Sequence, residues 1–135
     1  MAEIDRLLTD LITQTAPGLF KLHGVGTDTA ASLLVAAGDN PDRLHSEGSW
    51  AHLCGVTPLP ANSGKVTTRF RLSRGGDRQA NAALYRIVLT RMSSHEETRT
   101  YVARRRDEGL NTAEIMRCLK RYVARQTYKH LPHMI

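Results

Sequence analysis

The chain has 135 residues, 41% of them hydrophobic and 24% charged, with a formal net charge of +6 and a pI near 9.8. That length supports one domain around a single core, and the apolar content excludes a wholly disordered chain. The charge is uneven: residues 1 to 60 hold three basic and seven acidic groups, whereas residues 61 to 135 hold sixteen basic and six acidic groups, which favours a polyanionic partner such as nucleic acid for the second half.

Helical signals dominate from the start. Ile4, Leu7, Leu8, Leu11 and Ile12 fall on one stripe, predicting a first helix that ends before Pro17-Gly18 and needs a packing partner. Residues 19 to 37 resemble a helix-hairpin-helix. A short helical turn reaches Gly24-Val25-Gly26, and a second helix begins at Thr27 or Asp28. Gly24 and Gly26 permit a tight turn, Val25 points inward, and the amides at the following helix N-terminus are candidates to hold a phosphate oxygen. A tight αα-corner that never meets nucleic acid fits the same residues, and Asp28 would repel a phosphate. Gly38-Asp39-Asn40-Pro41 then breaks the helix.

Residues 46 to 54 read as a short helix with Trp50, Leu53 and Cys54 inward, followed by an extended exit. Trp50, the only tryptophan, fits a core anchor better than a base-stacking platform. Residues 66 to 72 alternate in the manner of a strand or hairpin arm. A longer helix is expected from Asp77, with Ala80, Ala83, Leu84, Ile87, Val88 and Met92 on its buried face and Arg78, Asn81, Arg86 and Arg91 outward. The Tyr101 to Arg106 stretch suits either a solvated helix end near Gly109 or a phosphate-contacting element. Asn111 and Glu114 have capping-box spacing ahead of a last helix to about Tyr128, with Ile115, Leu119, Tyr122, Val123 and Gln126 on one stripe and Arg117, Lys120, Arg121 and Arg125 on other faces. These elements predict a mostly α, compact helical domain spanning residues 1 to 135, with a serine-bearing loop or short β-hairpin over 56 to 76 and a helical remainder over 77 to 130.

Chemistry concentrates in residues 61 to 78, which contain two serines, three glycines and five cations. Small neighbours leave Ser63 open to a bulky substrate, and Lys65, Arg69, Arg71, Arg74 and Arg78 supply charge for phosphates. A solvated basic loop without a reactive serine is the competing reading. Arg outnumbers Lys thirteen to three after residue 60, and the planar guanidinium suits bidentate phosphate contacts; Arg104 and Arg105 join the candidate nucleic-acid-binding set with Gly24 and Gly26. Cys54 and Cys118 form no CxxC, and six scattered histidines form no HExxH pair, so no metal site and no disulfide framework is expected. No apolar run approaches the roughly 20 residues of a membrane helix, and no signal-peptide pattern opens the chain.

Leu22-His23-Gly24-Val25-Gly26, Leu53-Cys54-Gly55-Val56-Thr57-Pro58, Asn62-Ser63-Gly64-Lys65, Leu72-Ser73-Arg74-Gly75-Gly76-Asp77-Arg78, Tyr101-Val102-Ala103-Arg104-Arg105 and Ile115-Met116-Arg117-Cys118-Leu119-Lys120-Arg121-Tyr122 follow one another in this order. Together they resemble the C-terminal transposase domain of DEDD-type bacterial insertion-sequence recombinases, the family numbered 110/116/902, over nearly the whole chain. The resemblance implies a domain that contributes a serine nucleophile, Ser63, to DNA cleavage and strand exchange, beside an N-terminal RNase-H-like domain whose carboxylates bind Mg2+. That acidic domain is absent from these residues. The chain therefore reads as a C-terminal fragment or truncated product, without a cofactor of its own and inactive in isolation.

The resemblance further implies DNA as partner, a guide RNA in characterised members, a homo-oligomer in the full-length protein, no membrane, and a bacterial cytoplasmic location. A serine hydroxyl needs a base, a metal or strong transition-state stabilisation to attack phosphorus. No base is evident near Ser63, so activation is assigned to the missing domain and charge stabilisation to Lys65 with Arg69 or Arg71. Two other classes fit the residues: a non-catalytic helix-hairpin-helix DNA-binding module, and a helical protein-interaction domain with an acidic partner.

Overall fold

Apolar residues spaced three and four apart between Ala80 and Val88 build the helix around which the molecule is organised. In this computed structural model, which describes residues 2–57 and 76–132, the elements run α1 (Ala2–Thr15), a 3-10 turn (Pro17–Lys21), α2 (Thr27–Asp39), a second 3-10 turn (Pro41–Arg43), α3 (Glu47–Leu53), α4 (Arg78–Ser94), α5 (Glu96–Asp107) and α6 (Thr112–Tyr128). The fold is mostly α, and the described residues include no strand. The expected strand over 66 to 72, and the loop carrying Ser63, lie outside the described residues.

Helix α4 packs against α2, α5 and α6, while α3 packs on α6 and α1 on α2. Ala80, Ala83, Leu84, Ile87 and Val88 are fully buried, facing Ala30, Leu33 and Ala36 from α2 and Ile115, Val123 and Ala124 from α6 within one core. Small residues on both α2 and α4 let those two backbones approach closely, and each large aliphatic side chain in the core contributes about 1.5–3 kcal/mol of burial. Trp50 is completely buried, and its indole N–H donates to Thr127 Oγ1 at 3.2 Å. The tryptophan is a core anchor between α3 and α6, so it presents no face to a base.

Local signals fix the ends. Asp77 caps α4 by accepting from the Ala80 amide at 2.9 Å. Asn111 and Glu114 form the expected reciprocal capping box, each side chain accepting from the other's backbone amide at 2.9 Å. Helix α5 ends in a Schellman motif: Gly109 has φ +97°, its amide donates to the Arg106 carbonyl at 3.0 Å, and the Leu110 amide donates to the Arg105 carbonyl at 3.1 Å.

Four expectations fail in instructive ways. Arg91 is buried, not outward: it continues the stripe set by Leu84, Ile87 and Val88, and its Nε donates to the His23 carbonyl at 2.7 Å, which makes burial tolerable. Asn81 is likewise half-buried, with both ends of its amide engaged. In α1 only Ile12 is buried, while Ile4, Leu7 and Leu11 stay 51–58% exposed; the stripe is wider than the single edge along which α1 meets α2. In α6, Ile115, Leu119 and Val123 face the core as expected, whereas Tyr122 and Gln126 are exposed.

Candidate nucleic-acid interface

The described residues on either side of the Ser63 segment meet at one place. Helix α3 ends in a second Schellman motif, in which Gly55 has φ +74°, its amide donates to the His52 carbonyl at 3.0 Å and the Val56 amide donates to the Ala51 carbonyl at 2.9 Å. The returning chain is tied to the same corner, because the Asp77 amide donates to the Leu53 carbonyl at 2.6 Å. Asn81 Nδ2 donates to the Cys54 carbonyl at 2.8 Å, fastening the exit turn to α4. A side chain at Gly55 would bring a Cβ within 3.2 Å of that amide nitrogen.

Between these strands of chain lies an open cavity of about 410 Å3, lined in part by Gly76, Asp77, Arg78, Asn81, Tyr85 and Lys120. Lys120 reaches in from α6; its ammonium donates to Asn81 Oδ1 at 3.2 Å and sits 5.8 Å from the centroid of the Tyr85 ring. Burial lowers its pKa, since a desolvated ammonium is disfavoured relative to the neutral amine. Cys54 also lines the cavity, with its thiol pKa pushed well up, first by burial and then by the Asp77 carboxylate. It is a core thiol and no nucleophile.

Of the residues singled out from the sequence, Ser63, Lys65, Arg69, Arg71 and Arg74 lie outside the described residues. Arg78 opens α4 and lines the cavity, exposed. Arg104 and Arg105 stand apart on α5. Both guanidinium groups lie over the Tyr101 ring, at 5.4 and 5.7 Å, and both face Glu108, Arg105 at 2.8 Å and Arg104 at 4.0 Å. Their position at a helix C-terminus is also what the helix dipole favours.

The hairpin glycines divide. Gly24 has φ +89°, and an added Cβ would lie 3.0 Å from the Ile87 carbonyl oxygen, so its lack of a side chain is required by contact with α4. Gly26 faces open space. Its amide is already held by Thr29 Oγ1 at 3.0 Å, and the Val25 amide donates to the Leu22 carbonyl at 3.2 Å; these two amides of the turn ahead of α2 are thus internally satisfied. Val25 is buried, as its place between the glycines suggested.

Charge and motif reading missed two features. Lys120 shares an α6 sequence with three arginines, and only the fold separates it from Arg121 and Arg125, which reach Glu47 at 4.0 and 3.0 Å. A histidine cluster at the α4–α5 junction also has no sequence signature: His23 and His95 rings lie 4.6 Å apart, and His23 Nε2 is 2.8 Å from Ser94 Oγ. Ser94 Oγ in turn donates to the Thr90 carbonyl at 3.0 Å, so its proton is engaged and the pair is a structural tie. Among the described residues, no three His, Cys, Asp or Glu side chains stand together to hold a metal ion, and no helix is long and apolar enough to cross a membrane.

Sequence comparison places these features in a family. The profile of the transposase IS116/IS110/IS902 family matches residues 17–103, which include the hairpin, the α3 exit turn, the serine segment and α4. The chain is 30% identical over 110 residues to an uncharacterized 43.6 kDa protein of insertion element IS110 from Streptomyces coelicolor, a match covering 81% of this chain and 27% of that protein. It is 27% identical over 103 residues to an uncharacterized 42 kDa protein of insertion element IS900 from Mycobacterium paratuberculosis, covering 76% of this chain and 26% of that protein. No solved structure matches. The matches thus span about a quarter of the length of these relatives, and over most of its own length the chain belongs to the IS116/IS110/IS902 family of insertion-sequence transposases.

Proposed function

We propose that the chain is the DNA-binding, serine-bearing domain of an insertion-sequence transposase, with Ser63 as nucleophile in DNA cleavage and strand exchange. The observation that supports this best is that the described residues flanking 58 to 75, a stretch rich in cations and free of acidic groups, are joined by the Asp77–Leu53 hydrogen bond at a corner where Arg78 and Lys120 line a cavity. Backbone phosphates would be drawn there, and Lys65, Arg69, Arg71 and Arg74 add to the same charge.

In the proposed step, Ser63 Oγ attacks a DNA phosphorus and loses its proton to a base. The new Oγ–P bond replaces the bond to the departing sugar oxygen, which takes up a proton, and one DNA end remains joined to the protein. Cations around the phosphate offset the charge that develops in the transition state. The described residues do not form a Mg2+ site, and the base is not among the groups near the cavity: Asp77 caps α4. Both are assigned to the rest of a full-length protein, as are a guide RNA and self-association.

The test is adduct formation by full-length protein on its own element ends. Ser63→Ala should abolish the covalent DNA–protein species and strand exchange while leaving melting temperature and DNA binding nearly unchanged, since a loop hydroxyl contributes little packing. Ser73→Ala is the control. Peptide mass spectrometry that found the DNA on Ser73, or an adduct persisting in Ser63→Ala, would overturn the assignment.

A further inference from the structure

Several cations whose surroundings are described already have partners. Arg104 and Arg105 face Glu108, Arg121 and Arg125 face Glu47, and Arg91 donates to a carbonyl. Lys120 differs. It is half-buried, it has no carboxylate within ion-pair distance among the described residues, and its recorded hydrogen bond goes to a neutral amide oxygen, Asn81 Oδ1, at 3.2 Å. Residues 58 to 75 contain no Asp or Glu, so that segment cannot supply a counter-charge. An ammonium group has three donors, and here the remaining capacity borders a cavity of about 410 Å3 shared with Arg78.

Removing a cation from water without an opposite charge is unfavourable, and burial lowers the Lys120 pKa accordingly. An anion in the cavity reverses that penalty. Asp77, the carboxylate on the lining, accepts from the Ala80 amide, and two cations against one anion leave the cavity net positive. Asn81 keeps Lys120 in place because its own amide is fixed on the Cys54 carbonyl at 2.8 Å, so the ammonium is held before any ligand arrives. Tyr85, exposed at the rim with its ring 5.8 Å from the ammonium, adds an apolar wall suited to a sugar.

We propose that this cavity is a phosphodiester subsite, in which Lys120, positioned by Asn81 and assisted by Arg78, binds one backbone phosphate of a nucleic-acid strand at the base of the serine segment. The proposal rests on the nucleic-acid reading above and adds a specific ligand to it. Both DNA and RNA present this chemistry.

The test combines chemical footprinting with salt-dependent binding on the full 135-residue chain. Lysines are acetylated with a water-soluble ester, with and without a labelled DNA duplex, a DNA single strand or an RNA strand, and read by peptide mass spectrometry. Lys120 should be protected by at least one of these, which names the source, while the exposed Lys21 and Lys129 serve as references. In anisotropy titrations, Lys120→Gln should weaken binding about tenfold at low salt and lower the salt slope by about one, with Arg99→Gln, an exposed cation on α5, as control. Asn81→Ala should give a smaller loss at an unchanged slope, because the charge remains but is no longer positioned.

If the wild-type chain binds with a steep salt slope, yet Lys120 is unprotected and Lys120→Gln keeps the wild-type slope, the subsite is wrong and the nucleic-acid reading stands. If the wild-type chain shows no salt-dependent binding to any of the three, both fail. Footprinting on the unmodified chain keeps the result readable should Lys120→Gln lose its fold.

Discussion

Replacing Gly24 by Ala tests whether the hairpin is built to contact α4 or to approach a phosphate. The residue has φ +89°, a region that costs a residue with a Cβ about 1–2 kcal/mol. The new methyl carbon would also lie 3.0 Å from the Ile87 carbonyl oxygen, with Arg91 Cγ and Ile87 Cγ2 at 3.4 Å. A backbone carbonyl inside a helix cannot rotate away, so relief requires the hairpin to lift from α4, at a cost in the overpacking range of about 1–3 kcal/mol. Loss of chain entropy in the unfolded state returns about 0.4–1 kcal/mol. The net destabilisation is about 2–3 kcal/mol. For a chain of 135 residues the unfolding entropy is about 0.28 kcal/mol/K, which converts this to a fall of about 7–11 °C in Tm.

Gly26→Ala is the matched control. It has φ −108° and nothing within 4 Å of an added Cβ; a slightly poorer N-cap and a stiffer unfolded chain oppose each other, leaving a change within about 0.5 kcal/mol. Thermal melts followed by circular dichroism, with urea titrations to confirm an unchanged m-value, separate the two variants. Equal melting of Gly24→Ala and wild type would refute the packing account, as would an equal loss for both glycines. A loss of DNA affinity in Gly26→Ala at unchanged stability would return the hairpin to the binding surface.

Asn111→Ala removes the reciprocal cap on α6 and should cost about 1 kcal/mol, or about 3–4 °C in Tm; adding Glu114→Ala should cost less than the sum of the singles, since both delete one motif. Tyr101 gives a pH prediction. Its pKa is pushed up from 10.0 to about 12, by burial first and then by the neighbouring Cys118 thiol. Between these values the unfolded chain ionises this phenol and the folded chain does not. The unfolded state therefore binds fewer protons, and the contribution of Tyr101, fully present below about pH 10, is lost as pH rises towards about 12. Ultraviolet difference titration should show one late phenolate that Tyr101→Phe removes, and Tyr101→Phe should flatten the alkaline fall in stability.

How much of this was legible depended on whether a residue's role is local. The breaks at Pro17 and Asn40, the start of α4 near Asp77, the Asn111 cap, and the inward set of Trp50, Leu53 and Cys54 all follow from neighbours within about four residues, and the sequence reading places them where the structure does. Arg91 was missed because charge was allowed to outweigh spacing, although its carbonyl partner 68 positions away is invisible to any local window. Gly24 was recognised as a turn glycine, but the Ile87 carbonyl that forbids a side chain there lies on another helix. The α1 stripe met the opposite fate: periodicity identifies an apolar face, and only tertiary structure shows that one edge of it is covered.

The same distinction governs the charge. Composition counts sixteen basic groups after residue 60, as though all were available to a partner. Folding assigns some of them inward: Glu47, from the acidic first half, sits against Arg121 and Arg125 and joins α3 to α6, while Glu108 holds the end of α5. Exposed pairs of this kind contribute only about 0.2–1 kcal/mol, so they steer geometry more than they stabilise it. What they accomplish is a sorting of the cations, since arginines paired on one side of α6 leave Lys120 as the group on that helix turned towards the base of the serine segment. A helix with four basic residues among Arg117, Lys120, Arg121 and Arg125 thus reads as uniformly cationic in sequence but has two faces in the fold. One fastens α3, and the other borders the cavity where a phosphate would meet Arg78 and Lys120 together.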